Sequence, residues 1–361
     1  MRGIKKYEFK PDYLVIPGES VRDAIEYLDM SNKDFAQRMG LTEQSLSRIL
    51  KGEQPITYET AVKLELVTGT SCEFWANLEA NYQKQMQIQK SNDRLNQYSE
   101  WLKKLPIKEL VSRGYIEKSE NTAVQTMRVL SFFQTSSINS FNDYLNSTKA
   151  AARGTAAFTT DAISAVSYIY MGLRDAQKIQ VEPYDKKRFE AVLKQVKALT
   201  HDLHKDFACD LQRLFALAGI ALVYVPPIKG LHFSGLSKWI SPTKAMIIMN
   251  IRGKREDRFW FSLFHEAAHI LLHSKKQIFI SDSTPDDEFE QEADQFAADF
   301  LIPESFNARI ASVQTQQEIV AIADELGIAP GIVVGRYHHL TKKWQAYTQL
   351  IRKLEWKHDS D

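Results

Sequence analysis

Apolar positions in the first part of the chain recur three or four residues apart, in short blocks divided by turn residues. The blocks read "SVRDAIEYLDM", "SNKDFAQRMG", "LTEQSLSRILKG", "TYETAVKLELVTG" and "SCEFWANLEANYQ". Each lays its apolar side chains along one face of a 3.6-residue period, which predicts a helix. Ser31, Thr42, Thr57 and Ser71 stand where hydroxyl N-caps belong, and Gly40, Gly52 and Gly69 where helices stop. Residues 19–82 are therefore expected to form a compact all-α domain, with residues 1–18 as an extended arm.

Residues 83–205 stay helical in pattern but richer in polar positions. "QKQMQIQKSNDRLNQYSEWLKKL" predicts a long amphipathic helix leaving the first domain, and "DKKRFEAVLKQVKALTHDLH" repeats its style. A bridging or packing role is expected for this middle segment. The pattern changes after Cys209. "DLQRLFALAGIALVYVPP" reads as a helix, Gly219, then a β-rich run closed by prolines, and "KAMIIMNIRG" reads as a second strand. A charged turn, "GKREDR", leads into the apolar helix "FWFSLFHEAAHILLH". The expected class is mainly α with a small β-sheet (α+β), the sheet lying against that last helix over residues 206–361.

Composition narrows this picture. A chain of 361 residues has room for two or three domains, and 44% hydrophobic with 25% charged residues excludes a disordered chain. A formal net charge of +1 gives the whole chain no field that would attract a polyanion. Cys72 and Cys209, far apart, exclude a disulfide scaffold or cysteine zinc knuckle and suit a reducing compartment. The N-terminus lacks the apolar core of a signal peptide, and no run reaches transmembrane length. A cytoplasmic protein with no membrane partner is expected.

The last helix carries the chemistry. His265 and His269 are four apart, so both imidazoles leave one helix face within reach of a single ion. Glu266 is offset by about 100° on the helix, where it can serve as a general base without being a ligand. The alternative is a structural helix with a polar spot, and a third ligand decides between them. "EFEQEADQFAADFLIP" supplies Glu290 and Asp294, again four apart. One can bind the metal while the other accepts a hydrogen bond from a ligand imidazole. Glu290 is the preferred ligand over Glu288, about half a turn from it, and over Glu292, which points about 160° away, onto a solvated face. Two histidines and one glutamate leave a fourth position for water, as in hydrolytic Zn2+ sites. His273, without a partner in this pattern, is expected at the helix end or surface.

These motifs, "FWFSLFHEAAHILLH" followed by "EQEADQFAADFLIP", resemble the ImmA/IrrE group of zinc metallopeptidases. "GLSKWISPTKAMIIMNIRGKREDRFWFSLFHE" resembles the approach to the metal helix in that group, and "ELGIAPGIVVGRYHHL" a segment that follows the peptidase core in fusions to a HigA-antitoxin-like (XRE-type) helix-turn-helix domain. The resemblance spans nearly the whole chain, specific in the peptidase motifs and weak in the middle. It implies a zincin-like C-terminal domain of gluzincin type, with His265, His269 and Glu290 as ligands and Glu266 as base. It also implies cleavage of a protein substrate such as a repressor. "RYHH" departs from the usual R-L-Q-H: His339 keeps the matching position and His338 replaces a glutamine. An oxyanion-stabilising role is carried over to His339, and Arg336 is expected to anchor substrate or the domain itself.

"NKDFAQRMGLTEQSLSRILKG" has helix-turn-helix patterning. Phe35, Ala36 and Met39 bury the first helix, Gly40 turns, and Leu41, Leu46 and Ile49 bury the second. Glu43, Gln44, Ser47 and Arg48 then face outward with Thr42 as cap. In the repressor-like arrangement Gln44 suits adenine, Arg48 guanine, and Ser45 and Lys51 phosphate. Against this, Glu19 to Ala80 holds 6 basic and 11 acidic residues, a poor surplus for phosphate neutralisation. Arg2, Lys5, Lys6 and Lys10 of the arm, or a homodimer doubling a weak half-site, would compensate. The expected partners are a protein or peptide substrate (a repressor or antitoxin), operator DNA, a toxin and a second copy. Two alternatives stand beside this reading: a non-catalytic HigA-like antitoxin or regulator whose zinc domain senses or scaffolds, and a helix-turn-helix kept for partner contacts.

Overall fold

Five helices open the chain: α1 (Pro17–Tyr27), α2 (Asn32–Met39), α3 (Glu43–Leu50), α4 (Tyr58–Thr68) and the longer α5 (Cys72–Asn96). The computed structural model describes residues 15–96, 98–151, 156–201, 207–228, 231, 234–273, 278–280 and 288–356. Ser31, Thr42 and Thr57 accept from the backbone amides of Asp34, Ser45 and Thr60, and Gly40 and Gly69 end α2 and α4 in the left-handed region. Val21, Phe35, Leu46, Ile49, Leu64 and Trp75 share one core. Of the expected arm, residues 1–14 with Arg2, Lys5, Lys6 and Lys10 lie outside the described residues. Pro17 and Gly18 begin α1 instead of continuing an arm, since proline's fixed φ suits a helix's first turn.

The chain continues through α6 (Ser99–Lys103), α7 (Ile107–Ser112), α8 (Thr122–Phe132), α9 (Ile138–Ala151), α10 (Ala156–Lys178), α11 (Lys186–Leu199) and α12 (Phe207–Leu217). Three strands follow, β1 (Ile220–Tyr224), β2 (Gly235–Ser241) and β3 (Lys244–Met249), then α13 (Glu256–Leu272), β4 (Ile278–Ile280) and α14 (Glu288–Leu301). The described chain closes with α15 (Asn307–Ala311), α16 (Gln316–Leu326), α17 (Pro330–Thr341), a turn leading into a single 3-10 turn (Thr348–Leu350), and a short extended segment to residue 356. The sheet order is β1-β3-β2-β4, with β1 parallel to β3 and the other pairs antiparallel. The expected mainly-α architecture with a small sheet is the one observed. None of its helices among the described residues is long and apolar enough to cross a membrane.

The chain divides into two compact units. One holds the described residues up to Glu100 with Glu120–Thr126, the other Trp101–Ser119 with the described residues from Met127 on. The stretch read as a helical middle, residues 83–205, is accordingly split: α5 carries its start in the first unit, while α10 and α11 are built into the second. Strand alternation explains why the sheet needs them. Ile220, Leu222, Ala245 and Ile247 share a core with Phe259, Leu263 and Ala267 of α13. Their neighbours Ala221, Val223, Met246 and Ile248 point to the opposite face and share a core with Val166 and Ile169 of α10. Both faces of the sheet are thus covered, and α13 is buried along most of its length.

Candidate metal centre and DNA-reading helix

His265, Glu266 and His269 are buried on α13, with 4%, 0% and 0% of their surface exposed. The Nε2 atoms of His265 and His269 lie 3.0 Å apart. Glu290, from the first turns of α14, straddles them: its Oε2 is 3.2 Å from His265 Nε2 and its Oε1 3.3 Å from His269 Nε2. These three side chains form a cluster able to hold a metal ion. A tetrahedral zinc ion with bonds of about 2.0–2.1 Å separates its donors by roughly 3.3–3.4 Å, close to all three spacings. The donor set, two neutral nitrogens and one carboxylate, fits that ion with a position to spare. Asp294 Oδ1 accepts from His265 Nδ1 at 2.8 Å, the supporting role expected of one member of the Glu290/Asp294 pair.

Glu266 owes its place to a glycine. A Cβ on Gly235 of β2 would lie 2.6 Å from Glu266 Cγ and 2.7 Å from its Oε1. Only a bare backbone lets the strand pass this close to the carboxylate. His273 stands at the end of α13, the first of the two places expected for it. It is not a surface residue: its side chain is 1% exposed, with Nδ1 2.9 Å from His269 Nδ1 and Nε2 3.0 Å from Glu292 Oε2. Glu292 is correspondingly not a purely solvated residue, although 56% of its side chain remains exposed. His273 is the C-cap of α13, and its amide still donates to the His269 carbonyl at 3.2 Å, which keeps its ring in line with those of His265 and His269.

The C-terminal half of α14 is held by two cations. Arg336 on α17 donates to the carbonyls of Ala298 (2.6 Å) and Ile302 (3.1 Å), and Lys197 on α11 to that of Phe300 (2.8 Å). Arg336 thus anchors α14, and it also faces a cleft. This cleft of about 800 Å³ opens beside the cluster, lined among others by Phe261, Asp294, Arg336 and the exposed His339. His338 is buried, and its Nε2 donates to the Ala346 carbonyl at 2.7 Å.

In the first unit, α2 and α3 meet at Gly40 as a helix-turn-helix requires. Phe35, Ala36, Met39, Leu46 and Ile49 are buried, while Glu43, Gln44, Arg48 and Lys51 are exposed. Ser45 and Ser47 are half-buried. The Thr42 hydroxyl accepts from the Ser45 amide at 3.1 Å and donates to the Ser45 hydroxyl at 2.9 Å. Thr42 therefore serves as a cap first, and Ser45 keeps one hydroxyl proton for another acceptor.

Comparison with known proteins follows these two sites. Residues 21–75 match the helix-turn-helix family, and residues 223–338 match the IrrE N-terminal-like domain family, Peptidase M78. The second match contains His265, Glu266, His269, Glu290 and Asp294. The helix-turn-helix transcriptional regulator YddM of Escherichia coli (strain K12) is 35% identical over 63 residues, 18% of this chain and 67% of that protein. The chain belongs to the helix-turn-helix regulators and carries an IrrE-type domain. An addiction module antidote protein of the HigA family from Coxiella burnetii is 32% identical (23% of this chain, 92% of that one, TM-score 0.22). A Pseudomonas aeruginosa protein solved with its operator DNA is 22% identical (24% and 98%, TM-score 0.23).

Electrostatics divide the metal cluster of the IrrE-type domain. Burial opposes charge on His265, but the carboxylates of Asp294 and Glu290 outweigh it and lift the imidazole to about 10. Burial, with His265 and His273 adding to it, outweighs Glu290 at His269 and lowers it to about 4. Burial also opposes ionisation of Glu290, yet its two histidine partners hold it down to about 2. At neutral pH, His265 thus holds the extra proton of the metal-free cluster.

Proposed function

We propose that the protein is a DNA-binding regulator whose IrrE-type domain is a zinc-dependent endopeptidase, cleaving a protein partner such as a repressor or antitoxin in the cytoplasm. One observation carries the reading: Glu266, a non-ligand carboxylate, is fully buried next to the cluster of His265, His269 and Glu290. A site that only scaffolds has no need of a base there. When bound, zinc supplies Lewis acidity, acidifying water and polarising a carbonyl. Glu266 takes the proton of the attacking water and returns it to the leaving amine. Asp294 fixes His265 with its Nε2 directed to the cluster. His339, exposed on the cleft, is proposed to steady the developing oxyanion.

The test is incubation of the zinc-loaded protein with purified products of the neighbouring genes. Cleavage that stops on chelation and returns with zinc supports the enzyme. Bound zinc with no cleavage of any candidate supports the scaffold. Zinc uptake has its own signature. A ligand imidazole needs its Nε2 lone pair, so His265, protonated up to about pH 10, must give up one proton. Titration calorimetry in buffers of different ionisation enthalpy at pH 7 should show about one proton released per zinc, with affinity rising roughly tenfold per pH unit. No buffer dependence would contradict the charge assignment.

For the first unit, we propose operator binding through α3, by a homodimer. The exposed Gln44, Arg48 and Lys51 support it, as does the likeness to a transcriptional regulator. A toxin is the further partner this reading includes. Arg48→Ala should weaken binding to the gene's own upstream DNA by about 1–3 kcal/mol in low-salt mobility shifts. A wild-type protein that shifts no DNA would instead place α3 in protein contacts.

A further inference from the structure

We propose that His273 and Glu292 form a positioning relay for His269, so that each histidine of the cluster is oriented by a carboxylate from α14. The inference rests on the metal reading above. His265 meets Asp294 directly, through Nδ1 at 2.8 Å. His269 meets Glu292 through one intervening ring, with steps of 2.9 Å and 3.0 Å.

Only one proton arrangement satisfies this chain with His269 Nε2 free for a metal. His269 must carry its proton on Nδ1 and donate it to His273 Nδ1. That nitrogen accepts only if His273 carries its own proton on Nε2, which then donates to Glu292 Oε2. The carboxylate at the far end thereby selects the tautomer of a ring it never touches. His273 is well fixed for this task. Its amide donates to the His269 carbonyl at 3.2 Å, and the Phe289 ring packs edge-on against it at 4.8 Å between centroids. The spacing is regular too: His265, His269 and His273 are four apart, so three imidazoles line one side of α13, edge-on or tilted to one another, with centroids 4.7 and 5.0 Å apart.

Both groups act through His269, so the decisive readouts are metal affinity and ring protonation, with activity set aside. Zinc affinity is measured by chelator competition, and the His269 tautomer by its ring nitrogen shifts in the metal-free protein. His273→Leu should weaken zinc binding roughly 10–100-fold, the usual effect of removing a ligand's hydrogen-bond partner. His273→Asn, whose amide oxygen still accepts from Nδ1–H, should recover most of that loss. Glu292→Ala should weaken zinc and let the Nε2–H tautomer of His269 appear, and Glu292→Gln should do so less. A merely structural role would lower thermal stability without moving the tautomer. Glu292 is more than half exposed, so its removal spares the fold and decides the matter even where His273→Leu does not fold. Zinc affinity within twofold of wild type in Glu292→Ala, with the tautomer unchanged, overturns the relay alone. A wild-type protein that takes up no zinc overturns the metal reading and the relay with it.

Discussion

Glutamine in place of Glu266 is expected to slow peptide hydrolysis roughly 10²–10⁴-fold, the range a general base supplies, while zinc uptake stays intact. The two outcomes separate because His265, His269 and Glu290 form the cluster without Glu266. Glutamine keeps the shape of the carboxylate and loses only its capacity to accept a proton. The strand beside it permits a second, independent check. An alanine at 235 would bring a methyl group 2.7 Å from Glu266 Oε1, so Gly235→Ala should displace the base with every ligand still present. Its kcat should fall while zinc stoichiometry and substrate KM hold. Hydrolysis at the wild-type rate in Glu266→Gln, measured on a cleaved partner, would eliminate the proposed mechanism.

Arg352→Ala should cost about 1.5–3 kcal/mol of stability in urea unfolding, the range of a hydrogen bond to a charged group, since the arginine itself is 36% exposed. Glu256, in the first turn of α13, is fully buried. Its Oε1 accepts from the Arg352 amide at 2.9 Å and its Oε2 from the Arg352 Nε at 2.6 Å. Arg352 also donates to the Thr200 carbonyl at 2.6 Å, and the Leu354 amide to that of Lys254 at 2.9 Å. This stitches the extended C-terminal segment onto the start of α13. Burial pushes the Glu256 carboxyl up in spite of Arg352, so the pair is costly to bury and costlier to break. Removing only the arginine strands a carboxylate in the core. Replacing both, with Glu256→Met and Arg352→Leu, should lose less than Arg352→Ala alone. Equal melting of wild type and Arg352→Ala would show that the carboxylate escapes to water or protonates without penalty.

The parts of this fold that local spacing encodes are the parts the sequence discloses. Caps at Ser31, Thr42 and Thr57, the His265/His269 pair, and Glu290 with Asp294 all follow from one helical period. Features made by distant pairing do not follow from it. β2 begins at a glycine and carries Ser237 and Lys238 between its apolar residues, and only its partners β3 and β4 make it a central strand. α10 looks like any apolar helix until the sheet supplies a face for Val166 and Ile169. Glu292 was assigned to solvent by an angle measured around its own helix. That angle holds around α14 but leaves out α13, whose His273 lies 3.0 Å from the Glu292 carboxylate.

The anchoring of α14 has a further consequence. Arg336 and Lys197 fix the carbonyls at its C-terminal end, while Glu290 sits about two turns away towards the other end. The helix is a short lever pinned at its base. Glu290 therefore explores little space, and little freedom would be lost if it took up an ion with His265 and His269. Losing an ion would correspondingly leave the two turns that carry Glu290 close to their bound place, with the pinned end and the core behind it in register.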